Sequence, residues 1–521
     1  MNNTTKQIPD LSYAIAELLR FKRDKRSLEA RLEAEGEVWK GIYSGGEPSG
    51  WIFNSIVNKH ADVIDSIPGC VCLPREKRDE RYSRALSKII PVICQRRNFE
   101  QTYSDNAWEK LKHGTAVYGV FWNNDLECGI GDVDIRQIPI SSIFWDMKER
   151  NIQDSKDLFI ASLCDLGEIE MKFGIEKDEL RDSNSSLMSD LGYANEGEKC
   201  LVVDWYYKRT DSLGGKTLHF CKFVGDRVLY SSEEDPNCEN GWYSHGMYPV
   251  VFDRLYPTDS AYGFGLIAVS SEVQKHINRI DENMLDYSDW ASRVRFWAKR
   301  SLGVNEKEFL DLDRGIVEVE GDIDEEKLRQ IEIAPIDNSV IDMKRLKIEE
   351  LKEITGSRDV SQGGVTGGVT AARAISILRE AGAKASRDGI EETFRAYITI
   401  MGMIIELIRQ FYSGERVFRI TGDCGDCEYF AFSGKSISAE ENSGRLPHFD
   451  IEIKTVKRSP DETEQKNSFA KSLYDSGIFK KENAKEALMM LDLMDFDGIG
   501  KLRSSIASAY LAEGEESEIA E

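Results

Sequence analysis

Residues Ser357 to Ala372 read SRDVSQGGVTGGVTAA, between two long helical patterns. Gly363, Gly364, Gly367 and Gly368, with Thr366 and Thr370, make a flexible connector without charge from Val360 onward. Glycine visits positive φ freely and gives up the most backbone entropy on ordering. A run of this kind between rigid rods reads either as an ordinary helix–helix loop or as a part that moves against a ligand. A helix of more than forty residues is predicted to begin at about Thr370.

Phosphate is the first ligand to consider, because a glycine-rich loop opening a helix can cradle phosphate oxygens with backbone N–H groups. A nucleotide-hydrolysing P-loop needs Gly-Lys-Ser/Thr at the helix start and a strand before the loop. Here the helix opens Val369-Thr370-Ala371-Ala372, and Ile341–Glu353 (IDMKRLKIEELKE) before the loop is helical. Both requirements fail, so a nucleotide site is rejected.

A chain of 521 residues exceeds what one core usually serves, so several subdomains are expected. The composition, 41% hydrophobic and 31% charged, is that of a folded protein. A net charge of −24 excludes a protein that wraps nucleic acid on a basic surface, but not one past which DNA must slide without sticking. The N-terminus lacks a charged region followed by an apolar core, so no export signal is expected. The longest apolar run, Ala396–Ile408, contains Glu406 and is too short to span a bilayer. The cysteines are scattered, and reduced thiols are expected. Cys424 and Cys427 form a single C-x-x-C with only the distant His448 to complete it, so neither a metal nor any other cofactor is expected. Asp311, Asp313, Asp322 and Asp324 lack the glycine and glutamate spacing of a calcium loop.

Working outward, residues 10–43, 51–67 and 76–112 are predicted helical. The period then changes. Ala116–Trp122, Val133–Ile138, Leu158–Leu163, Leu201–Tyr207, Thr217–Val224, Arg227–Ser231 and Tyr248–Leu255 read as strands, with a hairpin across Gly225-Asp226. The fold class is therefore α+β with a mostly antiparallel sheet. From Gly265 the apolar residues Leu266, Val269, Val273, Ile277, Ile280, Met284 and Tyr287 recur every three or four positions, predicting an amphipathic rod of roughly 45 Å. Its polar face carries Glu272, Lys275, Arg279, Asp281, Glu282 and Asp286. A basic cluster, Arg293, Arg295, Lys299 and Arg300, opens a compact piece with a strand at Gly315–Glu320, and a second helix is predicted at 339–355. The helix after the glycine loop runs to Tyr412, with a bend or close contact predicted at Gly382–Gly389. Strands follow at Arg416–Ile420 and Phe449–Thr455, then helix over 462–511 and an acidic tail expected to be disordered.

In this order the motifs resemble the portal, or head-to-tail connector, proteins of tailed bacteriophages. They are Trp51-x-x-Asn54-x-Ile56-x-x-Lys59-x-x-Asp62, HGTAVYGVFW (His113–Trp122), GDVDIRQIPISSIFWD (Gly131–Asp146), SEVQKHINRIDENML (Ser271–Leu285), Thr355–Gly382, FDIEIKT (Phe449–Thr455) and LYDSGIF (Leu473–Phe479). Each alone is weakly specific; order and spacing carry the resemblance along nearly the whole chain.

The resemblance implies a ring of about twelve subunits at one capsid vertex, through which DNA is packaged and ejected. It implies a mixed helix and antiparallel-sheet wing (1–260) and two stem helices (261–294 and 336–356) flanking a clip (295–335). A tunnel loop (357–370), a long bent helix with returning wing strands (371–459) and a helical crown with the acidic tail (460–521) complete the expected architecture. On this reading Ser361, Gln362, Gly363, Gly364, Thr366, Gly367, Gly368 and Thr370 face the DNA channel, and Lys275, Arg279, Arg293, Arg295, Lys299 and Arg300 are the basic residues of stem and clip. The implied partners are further copies of the chain, double-stranded DNA, the terminase large subunit, a head-completion or tail adaptor protein, and the major capsid and scaffold proteins, with no membrane. The implied location is the virion, and the bacterial host cytoplasm during assembly.

Two other classes remain open from the residues. A different head–tail adaptor would lack the stem–clip–stem order. A nucleic-acid enzyme would need a carboxylate cluster, a P-loop or a nucleophile–base pair. His60, His113, His219, His245, His276 and His448 are scattered without metal spacing, and no catalytic residue is expected.

Overall fold

The computed structural model describes residues 10–44, 50–194, 197–210, 215–238, 241–292, 296–298, 307, 328–330, 335–356, 384–421, 427–439, 441–442, 444–455, 472 and 475–476. The chain divides into two compact units. One comprises Met1–Glu29, Lys59–Phe264 and Ser386–Glu521, the other Ala30–Asn58 and Gly265–Ala385.

Helices α1 (Leu11–Asp24), α2 (Arg26–Ser44) and α3 (Trp51–Ile64) open the chain. Strand β1 (Pro68–Pro74) follows, then α4 (Glu80–Arg96), α5 (Phe99–His113), β2 (Thr115–Asn123), β3 (Asp132–Gln137), β4 (Ile143–Trp145) and β5 (Asp157–Asp165). Next come α6 (Leu166–Phe173), α7 (Lys177–Leu191), β6 (Lys199–Thr210), β7 (Lys216–Val224), β8 (Arg227–Ser231), β9 (Val250–Arg254), β10 (Tyr256–Pro257) and β11 (Gly263–Phe264). Helix α8 (Leu266–Ser292), strands β12 (Phe296–Ala298) and β13 (Leu328–Gln330), α9 (Asn338–Thr355), α10 (Lys384–Phe411) and strands β14 (Arg416–Thr421), β15 (Cys427–Phe432) and β16 (Phe449–Thr455) complete the described elements.

Among the described residues every strand pair is antiparallel, so the class is α+β as read from the sequence. In the first unit a five-stranded sheet runs β4-β5-β6-β7-β8. Side chains alternate across a strand. Leu201, Val203, Trp205 and Tyr207 of β6 therefore share one face, packed against Ala14, Leu18 and Phe21 of α1 and Leu187, Met188 and Leu191 of α7. Cys200 and Val202 take the other face with Leu166 and Ile169 of α6 and Leu180 of α7. Covering on both faces is why β6 reads as a continuous apolar run. Each such buried side chain contributes about 1.5–3 kcal/mol. The β7–β8 hairpin closes through Gly225-Asp226 as predicted, with Val224 opposite Arg227 and Gly225 at φ 55°.

A second sheet, β3-β2-β9, meets α5 and α10. Phe99 of α5 stacks on Tyr118 of β2 at 6.4 Å and meets Tyr397 of α10 at 5.8 Å. Trp122 stacks on Phe411 at 4.7 Å, and the Tyr412 hydroxyl donates to Asp132 Oδ1 at 2.6 Å. Strand β16 returns to pair with β1, Pro68 opposite Thr455.

Two predicted helices are each broken. Residues 10–43 divide at Lys25, whose side chain turns inward and donates to the carbonyls of Ile140, Ser141 and Ile143 at 2.5, 3.1 and 2.7 Å. Residues 76–112 divide at Asn98, which sits at φ 49°. Asparagine is one of the few residues that tolerate this left-handed conformation. The helix predicted over 51–67 ends at Ile64 rather than 67 because Pro68 opens β1. The strand at Gly315–Glu320 and the helix over 462–511 lie outside the described residues, apart from isolated positions in the latter.

Candidate functional site

In the second unit, the first turns of α3 sit against both α8 and α9. The Ile52 amide donates to Gln274 Oε1 at 3.3 Å, and Gln274 Nε2 donates to Asn278 Oδ1 at 2.7 Å. Thr355 Oγ1 donates to Ser55 Oγ at 3.2 Å, and the Lys352 ammonium lies 5.7 Å from the Trp51 ring centre. Helices α8 and α9 meet directly through the ion pair Lys344–Asp281. Asp337 caps α9 by accepting from the Ser339 amide at 3.2 Å, and that hydrogen bond holds its carboxyl below the usual range. Gly356 ends the helix at φ 68°.

The buried stripe of α8 is Leu266, Ile267, Ser270, Val273, Gln274, Ile277 and Asn278, which confines it to the first half of the helix. Beyond Asp281 the predicted stripe continues in sequence, but no residue from Glu282 to Ser292 is fully buried. Leu285 of α8 is 63% exposed, and Met343, Leu346 and Ile354 of α9 are 56%, 65% and 41% exposed.

Lys275 and Arg279 lie one helical turn apart on the exposed face of α8. Lys275 pairs with Glu272 at 2.7 Å, and that hydrogen bond holds the Glu272 carboxyl below its ordinary range. Arg293, Arg295, Lys299 and Arg300 lie outside the described residues, as do Ser361, Gln362, Gly363, Gly364, Thr366, Gly367, Gly368 and Thr370. Among the described residues, Lys275 and Arg279 are those singled out from sequence, and they stand together. Cys424 also lies outside, and among the described residues no group of three or more His, Cys, Asp or Glu side chains is placed to hold a metal.

Sequence reasoning missed the buried centre of the first unit that holds α10, the helix following the glycine-rich segment. Lys110 of α5 forms an ion pair with Asp253 of β9 and donates to Gly389 O at 2.8 Å and Thr393 Oγ1 at 2.6 Å. Thr393 Oγ1 in turn donates to Asp253 Oδ2 at 2.8 Å. Burial pushes the Asp253 carboxyl up, and Lys110 opposes the shift. Of the small-residue stretch for which a bend or a close helix contact is predicted, residues 382–383 lie outside the described residues, and a Cβ at Gly389 would lie 3.0 Å from Leu255 Cδ1, just past β9. The available signal was Asp253 itself, an acid within the apolar strand Val250-Val251-Phe252. Among the described residues, no helix is long and apolar enough to cross a membrane.

No curated protein matches the chain. A family model does: that of the phage P22-like portal protein matches residues 56–213 and 214–521, from α3 through both units to the last residue. Portal proteins of this family are structural components of the virion rather than enzymes, and the chain belongs to the phage P22-like portal protein family.

Proposed function

We propose that copies of this chain close into a ring of about twelve at one capsid vertex, around a channel for DNA packaging and ejection. On this reading α8 and α9 are the stem helices, 295–335 the clip that docks the terminase large subunit and later the tail adaptor, and 357–370 the tunnel loop. Residues 1–260 and 371–459 form the wing with its long helix, 460–521 the crown, and major capsid and scaffold proteins surround the ring.

The observation that carries this reading is the exposure of Leu285, Met343, Leu346 and Ile354 on two helices of one unit. Scattered surface apolar residues need no explanation, whereas a contiguous patch marks an interaction surface, and on this reading the four form one across α8 and α9, which meet through Lys344–Asp281. Like helices from neighbouring copies cover such a set in a closed ring. The charge of −24 supports a sleeve that DNA passes, since tight binding needs phosphates neutralised by Lys and Arg. Gln362, Thr366 and Thr370 are neutral hydrogen-bonding groups suited to a sliding backbone, with Lys275, Arg279, Arg293, Arg295, Lys299 and Arg300 as the cations of stem and clip.

The test is a chain lacking residues 361–370, introduced into the phage. Normal rings with DNA packaging or retention impaired are expected. Rings that package and retain DNA as the parent does would remove the loop's role.

A further inference from the structure

Helix α10 turns a polar strip outward, with Glu391, Arg395 and Thr399 exposed at successive turns and the exposed Ile398 beside them. Against this strip lie the end of β9 and the turn 150–153, and together they enclose a cleft of about 430 Å³. All three segments belong to the first unit. The cleft has apolar walls, including Phe252 and Ala396, and three guanidiniums, Arg150, Arg254 and Arg395.

One carboxylate, Glu392, lines the cleft with them. It accepts from Arg395 Nη1 at 2.6 Å and lies 3.5 Å from Arg254 Nη2. Arg150 donates to Asp259 at 2.8 Å, but both partners are exposed, and water screens such a pair so that a competing carboxylate can displace it. Within the lining, three guanidiniums face the single carboxylate Glu392, while Asp259 beside Arg150 and Glu391 on the outer strip lie outside it, on a chain whose net charge is −24.

We propose that this cleft seats a carboxylate side chain from a second copy of the chain; this rests on the ring reading above. The argument is charge complementarity. With 92 acidic against 68 basic residues, the surface another copy presents is predominantly acidic, and this cleft is a local exception. Arginine forks bind carboxylates through two parallel hydrogen bonds. The apolar walls take the stem of the entering side chain, and Ile398 extends the contact. A cleft of this size admits one or two side chains and not a DNA duplex.

The experiment compares full-length wild type, R150E/R395E, R150K/R395K and R84E/R181E by mass photometry over a concentration series, with thermal unfolding alongside. Arg84 and Arg181 are exposed elsewhere in the first unit, so R84E/R181E makes the same change in net charge outside the cleft. R150E/R395E is expected to need at least tenfold more protein to assemble, with an unchanged unfolding midpoint, while R84E/R181E assembles normally and R150K/R395K falls between. Assembly of R150E/R395E like wild type overturns the cleft's role and leaves the ring standing. Equal impairment in R84E/R181E also overturns it, by showing a general charge effect. Where the purified wild type stays monomeric, the series is repeated with capsid and scaffold proteins present, and a wild type that assembles in neither setting overturns both readings.

Discussion

Lys110 is an ammonium with almost no exposure, held by Asp253, Thr393 and the Gly389 carbonyl. Its removal strands a buried acid. Lys110→Met is expected to cost about 3–5 kcal/mol in urea unfolding, and the joint change K110M/D253V to return most of that loss, because an apolar pair needs no compensation. His245 gives a pH signature. Burial pushes its imidazole down to about 4, with the Lys208 ammonium a smaller cause, and its Nδ1 accepts from the Met247 amide at 2.9 Å, which requires the neutral ring. The folded value lies below the unfolded value of about 6.5. Its contribution is therefore fully present above that pH and is lost as pH falls through 4. His245→Gln is expected to flatten the fall in unfolding midpoint over this window, measured against wild type.

At the scale of elements, legibility followed the physics of each signal. Strand β16 was read residue for residue and β8 likewise, because β-branched and aromatic runs stand between clear turns. Helix α8 was legible from a stripe of three and four steps that begins at Leu266, where the helix starts. Strand β1 escaped because Pro68-Gly-Cys-Val-Cys-Leu-Pro74 has little strand propensity, and its ladder with β16 is specified almost four hundred residues away. Lys25 gives no local sign that it will bend a helix, since its partners are carbonyls at 140–143. Of the candidate site, Lys275 and Arg279 were legible as a helix face, whereas Lys110, Asp253 and Thr393 converge only in three dimensions. Close approach yields a further prediction. A Cβ at Gly434 would lie 2.1 Å from Ile408 O, so Gly434→Ala is expected to cost about 1–3 kcal/mol by forcing the end of α10 from the turn beneath it, measured by chemical denaturation.

For the whole molecule, the proposed ring gives a purpose to two features of the single chain: its net charge of −24 and the apolar residues left open on α8 and α9. Leu346→Glu tests the second feature. The site is exposed in one chain, so the unfolding free energy is expected to stay within about 0.5 kcal/mol while assembly is lost, read by light scattering. The most direct measurement is electron microscopy with mass determination on the purified protein, repeated with capsid and scaffold proteins present. A closed ring of about twelve subunits around a central channel is the predicted result. A chain that stays monomeric in both settings, or a closed dimer carrying a nucleotide, would contradict it.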